Sequence, residues 1–147
     1  METKTPLWFW ILSIIFLLWN LMGIGSFVAQ VLMTPEALEA LPKAERELYD
    51  SYPSWTYLVY FIAVIAGFLG SLGLLLKTGW ARTLFIVSLL AVIIQMGHSL
   101  FVANALKVYG NQALILPIIV TLVCTILIWF ANFCAKKPWY NLKTRNL

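Results

Sequence analysis

The chain has 147 residues, of which 62% are hydrophobic and 11% charged, whereas a soluble domain carries about 45–50% apolar and about 25% charged residues. That balance excludes a soluble globular domain and a disordered chain. The net charge of +4 does not make a nucleic-acid-binding module, because the basic residues flank apolar runs instead of forming one patch. The sequence is that of an all-α integral membrane protein.

Four apolar runs, residues 7–33, 57–76, 83–106 and 113–134, contain no Lys, Arg, Asp or Glu. Each reaches the length of about 20 residues that a bilayer-spanning helix needs. They predict an antiparallel four-transmembrane-helix bundle, one domain over residues 1–137. The first run is too long for the apolar core of a signal peptide, and no small-x-small cleavage site follows it, so it is read as retained. The connections 77–82 and 107–112 are short, which makes the last three spans antiparallel neighbours. Residues 138–147 read as a basic cytoplasmic tail, and the chain from Ala135 to Leu147 is expected to fray.

Lys and Arg near the span ends set the expected orientation. Lys4, Lys77, Arg82, Lys136, Lys137, Lys143 and Arg145 fall on one side, against Lys43, Arg46 and Lys107 on the other. Both termini are therefore expected in the cytoplasm. Trp8, Trp10, Trp80 and Trp139 then anchor the inner interface, and Trp55 and Tyr109 the outer one.

The long connection 34–56 is acidic and faces out in this reading. Thr34 can cap a helix, Pro35 suits its first position, and Glu36 meets the positive end of the helix dipole. Pro42 interrupts, so two short amphipathic pieces are predicted, about 35–41 and 43–50. Leu38, Leu41, Leu48, Tyr49 and Tyr52 form their apolar side, and Glu36, Glu39, Glu45, Glu47 and Asp50 the wet one. The segment is expected to lie as a cap on the bundle mouth or the membrane. Sharper roles are a lid whose charge attracts cations or excludes anions, and a helix that docks a partner.

Within the spans, a turn of 100° per residue groups the polar and small residues into stripes. Ser13, Asn20, Gly23 and Gln30 share a side of the first span. Tyr57, Tyr60, Gly67 and Ser71 share a side of the second, and Ser88, Ala91, Gln95, His98 and Ser99 a side of the third. Thr121, Thr125 and Asn132 do so in the fourth. Such stripes serve helix packing in any membrane bundle, and can also line a solute path. Asn20 and Gln95 lie at mid-depth, where amides need partners, so an Asn20–Gln95 pair is expected. Asn20, Gln30, Gln95 and His98 are the candidate substrate-binding residues, converging between the first and third spans.

His98 is the only readily titrating side chain in the spans, and an intramembrane ionisable group is a functional candidate. Its readings are a hydrogen-bonded interior imidazole, a proton-coupling group or a haem or metal ligand. Met96 and His98 are two residues apart and diverge, which disfavours the last. Gly67, Gly70 and Gly73 are read as helix-packing residues that admit close backbone approach to two neighbours. Cys124 and Cys134 would stand about 15 Å apart along one helix, too far for a disulfide. No catalytic, metal or cofactor-binding motif is present, so neither an enzyme nor a cofactor is expected.

The stretch Met33-Thr34-Pro35-Glu36-Ala37-Leu38, with Pro42, Glu45-Arg46, Tyr49 and Pro53-Ser54-Trp55 after it, resembles a group of small four-span bacterial membrane proteins often labelled sugar transporters. Lys77-Thr78-Gly79-Trp80-Ala81, Leu84-Phe85, Ser88-Leu89 and Gln95 extend the resemblance, which runs nearly to Lys137. It implies transport of a small neutral polar solute such as a sugar, in the bacterial cytoplasmic (inner) membrane, and supplies no binding residues. Small multidrug antiporters resemble the chain in size only, because their membrane-embedded glutamate has no counterpart here. The expected partners are the lipid bilayer, a second copy of the chain and the solute, with no nucleic acid. The competing function is a non-transporting membrane assembly or envelope-stress factor that binds a partner protein.

Overall fold

The computed structural model describes residues 4–140, so Lys143 and Arg145 of the expected basic tail lie outside the described residues. The described chain is all-helical: α1 (Leu7–Val31), α2 (Pro35–Glu39), α3 (Lys43–Asp50), α4 (Ser54–Leu75), α5 (Ala81–Gly97), α6 (Ala105–Tyr109) and α7 (Ile115–Ala135). A π-helical turn, His98–Val102, prolongs α5, and a 3-10 turn, Gly110–Leu114, leads into α7. Four stretches are long and apolar enough to cross a membrane: Leu7–Val31, Ser54–Leu75, Ala81–Val102 and Ala105–Ala135. The molecule is a multi-pass, four-helix membrane bundle.

The spans are arranged in the order α1, α4, α5, α7, with α4 packed against both α1 and α5, and α5 against α7. Small residues make the α4 contacts close. A Cβ on Gly67 would collide with the Asn20 carbonyl oxygen of α1 and come within 3.2 Å of the Ser88 hydroxyl of α5. On Gly70 it would stand 2.7 Å from the Phe85 ring of α5. Gly67 thus serves two neighbours. Gly73 serves the turn after α4, where a Cβ would meet Trp80 and Thr78.

That turn is specified by backbone hydrogen bonds. Lys77 takes a left-handed conformation (φ 56°), the Lys77 amide donates to the Leu74 carbonyl, and the Thr78 amide donates to the Gly73 carbonyl. These are the paired bonds of a Schellman stop, with Lys where Gly is usual. The Lys77 ammonium then ties the turn to the N-terminus, 2.9 Å from the Thr5 hydroxyl and over the Trp10 ring.

At the end of the bundle that holds both termini, aromatic rings close the space between α1 and α7. Phe9, Phe85, Phe130, Trp139 and Tyr140 are buried together with Leu74, Leu127 and Cys134. Phe9 stacks on Phe130 with ring centroids 6.2 Å apart, and meets Trp139 edge-on at 5.0 Å. The chain after α7 does not fray at once as expected. Lys136 to Tyr140 form turns that fold Trp139 and Tyr140 back onto Phe9, and the Tyr140 hydroxyl donates to the Thr78 carbonyl (3.1 Å). Burial of the phenol, with a smaller contribution from Cys134, holds the Tyr140 pKa well above the ordinary tyrosine value.

The opposite, loop end carries α2 and α3. The two predicted pieces form, separated at Pro42, with the Thr34 hydroxyl accepting from the Ala37 amide (3.2 Å). Backbone and Thr34 hydrogen bonds hold the Glu36 carboxyl below its ordinary pKa. Arg46, read only as a charge in the sequence, spans the break by donating to the carbonyls of Glu39 (2.9 Å) and Leu41 (3.3 Å).

Candidate functional site: an uncharged cleft between four spans

The outer part of the bundle, towards the loop end, is not filled. A cavity of about 200 Å³ lies at mid-depth among α1, α4, α5 and α7, bounded by Asn20, Ser88, Gln95 and Cys124 among others. Above it lies a second space of about 410 Å³, reached by Gln30, Ser99, Tyr109 and Gln112. The two share Tyr60, Gln95, Met96 and Leu116 as lining, so they form one cleft with a waist. Among the described residues, no Lys, Arg, Asp, Glu or His lines either part. The aromatic cluster Phe9, Phe85 and Phe130 lies beyond its floor.

The polar groups are positioned by the helices that carry them. Ser88 donates to the Ala63 carbonyl across the α4–α5 contact (2.7 Å). Asn20 uses both amide hydrogens, one on the Phe16 carbonyl (2.8 Å) and one on the Ser71 hydroxyl of α4 (2.9 Å). The expected Asn20–Gln95 pair therefore gives way to an Asn20–Ser71 pair. The reason is the helix order: α1 lies directly on α4, while α5 faces α1 across the cavity. Gln95 is left with its amide on the waist of the cleft.

Three of the four predicted binding residues reach this space. Asn20 and Gln95 share the inner part, and Gln95 and Gln30 share the outer part. His98 lines neither. Its ring meets Trp55 edge-on at 5.0 Å and Tyr52 at 6.3 Å, so it lies under the segment joining α3 to α4. Helix α4 begins at Ser54, ahead of the predicted residue 57, and so carries Trp55 to the imidazole. Among the described residues, His98 Nδ1 is buried and has no hydrogen-bond partner. No cluster of three metal-ligating side chains occurs among the described residues.

The expected α7 stripe is not the inward face of the helix: Thr121 and Asn132 are half-buried at its flank. Thr125 is exposed and bonds its own helix at the Thr121 carbonyl (2.8 Å), so it looks at lipid. The inward face of α7 is Val120, Cys124, Leu127, Ala131 and Cys134. Tyr60 lines both parts of the cleft, and the buried Ser71 holds Asn20 in place beside it. Their signal was in the sequence, on the same arc of the second span as Gly67.

No family model matches the chain, and no curated protein or solved structure matches it.

Proposed function

We propose that the chain carries a small neutral polar solute, such as a sugar, across the membrane, and that the cleft is where the solute binds. The observation that supports this most is the chemistry of the lining: amides of Gln30, Gln95 and Gln112, hydroxyls of Ser99, Tyr60 and Tyr109, and no charged side chain. A charged solute would enter such a cleft without a counter-charge, which costs several kcal/mol per ion. A hydroxylated neutral solute exchanges its water for amide and hydroxyl partners and lays apolar faces on Tyr60, Trp19 and Met96. The resemblance to small bacterial proteins labelled sugar transporters agrees with this reading, and the proposal places the chain in the bacterial inner membrane with both termini cytoplasmic.

Uptake of labelled sugars and polyols into proteoliposomes tests it. Gln95→Leu is expected to abolish uptake while leaving the melting temperature within a few degrees, since an interhelical membrane hydrogen bond contributes only about 0.6 kcal/mol on average and Gln95 makes none to Asn20. A second reading, a non-transporting envelope factor, draws on the aromatic closure at the termini end. Saturable solute binding without uptake, or neither, would favour it.

A further inference from the structure

The loop end holds a second, separate space that the proposed carrier does not use. A groove of about 570 Å³ runs beneath α2 and α3, between them and the outer ends of α1 and α4. Its lower wall is Phe27, Leu58 and Phe61, and its upper rim is Tyr49, Asp50 and Tyr57. Leu58 and Phe61 are among the large apolar side chains left exposed on the spans, so the groove is continuous with the lipid-facing surface.

Its charge is one-sided. Asp50 is the only charged residue in the lining. It is also the last residue of α3, exposed on the rim of the groove, where the negative end of the helix dipole adds to its attraction for a cation. The one salt bridge among the described residues is Lys43–Glu47, which leaves Asp50 without a protein cation. Around it, α2 and α3 carry Glu36, Glu39, Glu45 and Glu47, while Arg46 is held by the carbonyls of Glu39 and Leu41. A low-dielectric groove under an acidic cap concentrates cations. The rings of Tyr49, Tyr57, Phe27 and Phe61 can take a cation on their faces.

We infer that this groove binds hydrophobic cations from the bilayer: a protonated amine on an apolar body, with the ammonium on Asp50 and the body along Leu58 and Phe61. The site is independent of the solute cleft. Gln30 alone of the proposed cleft residues lines both.

The full chain in lipid nanodiscs, labelled with a dodecylamine bearing a tail diazirine, tests the assignment. The same tail on an alcohol and on a sulfate gives the comparison. Mapping by peptide mass spectrometry is expected to place the amine label on the peptides containing Val31, Leu58 and Phe61, with the alcohol labelling them weakly and the sulfate least. Asp50→Asn should lower amine labelling about tenfold, as loss of a charge-assisted hydrogen bond does, and leave alcohol labelling unchanged. Asp50→Glu, which keeps the carboxylate, should keep the preference for the amine over the alcohol. Equal labelling by all three probes would mean ordinary lipid contact and would overturn the inference, as would an Asp50→Asn protein labelled like the wild type.

Discussion

Single residues carry much of the packing specificity in this bundle, and Gly70 is the sharpest case. Phe85, which a Cβ at Gly70 would strike, is 1% exposed and has no room to turn. Gly70→Ala is therefore expected to destabilise by about 1–3 kcal/mol, read as a lower melting temperature in detergent. Gly73→Ala meets Trp80, which is 46% exposed and can swing away, and the Thr78 hydroxyl, which need only give up its bond to the Gly73 carbonyl, so its loss should be smaller. Equal losses would mean that the Trp80 ring is as fixed as Phe85. Tyr140 gives a prediction with a pH sign. Its folded pKa lies above the unfolded value of about 10, so its contribution is full below pH 10 and fades as pH rises beyond it. Tyr140→Phe should be less stable than wild type near pH 8, by about 1 kcal/mol for the bond to the Thr78 carbonyl. The gap should narrow above pH 10, and a gap constant with pH would show that the phenol does not titrate there.

At the scale of elements, the α2–α3 cap is held to the bundle by few side chains. Tyr52 and Ser99 share a hydrogen bond of 2.6 Å that joins the end of the cap to the π-helical turn after α5. Within that turn the Ala103 amide reaches back to the His98 carbonyl (2.9 Å), and Asn104 then stops the helix in a left-handed conformation (φ 60°). Asn tolerates that conformation better than most residues. Tyr52→Phe is expected to raise amide hydrogen exchange across residues 34–53 several-fold while the spans exchange as before, since only the latch is lost. Faster exchange in α4 and α5 as well would make the latch part of the global fold. The spans and the split cap were legible in the sequence because hydropathy, Thr34, Pro35 and Pro42 act locally. The angular stripes located the inward faces of α1, α4 and α5 for the same reason. They failed on α7, where Thr125 satisfies its hydroxyl within its own helix and needs no interior partner. They failed on the Asn20 pairing because the order of helices around the bundle is not encoded in any one helix. His98 was misplaced because its neighbours, Tyr52 and Trp55, come from a connection whose path the sequence does not reveal.

For the molecule as a whole, the decisive feature is asymmetry: a cleft towards the loop end and an aromatic seal at the termini end. A carrier with this shape must loosen the Phe9–Phe130 contacts to release solute on the other side. The two native cysteines sample the two regions. Cys124 borders the cleft, whereas Cys134 is 0% exposed within the aromatic cluster. A small, uncharged thiol reagent polar enough to cross the membrane poorly, added to intact cells with any outer membrane permeabilised, is expected to modify Cys124 slowly and Cys134 hardly at all. Reaction from that side also requires the loop end to face outward, in agreement with the basic residues near the termini. Cys124→Ser should remove the labelling, and a bound solute should slow it. Unfolding in denaturant should make both thiols react alike, which separates burial from intrinsic reactivity. If Cys124 reacts only from the cytoplasmic side, the orientation is reversed. If Cys134 reacts as fast as Cys124 in the folded protein, the seal does not exist in the membrane, and the cleft would then run through the bundle as an open pore.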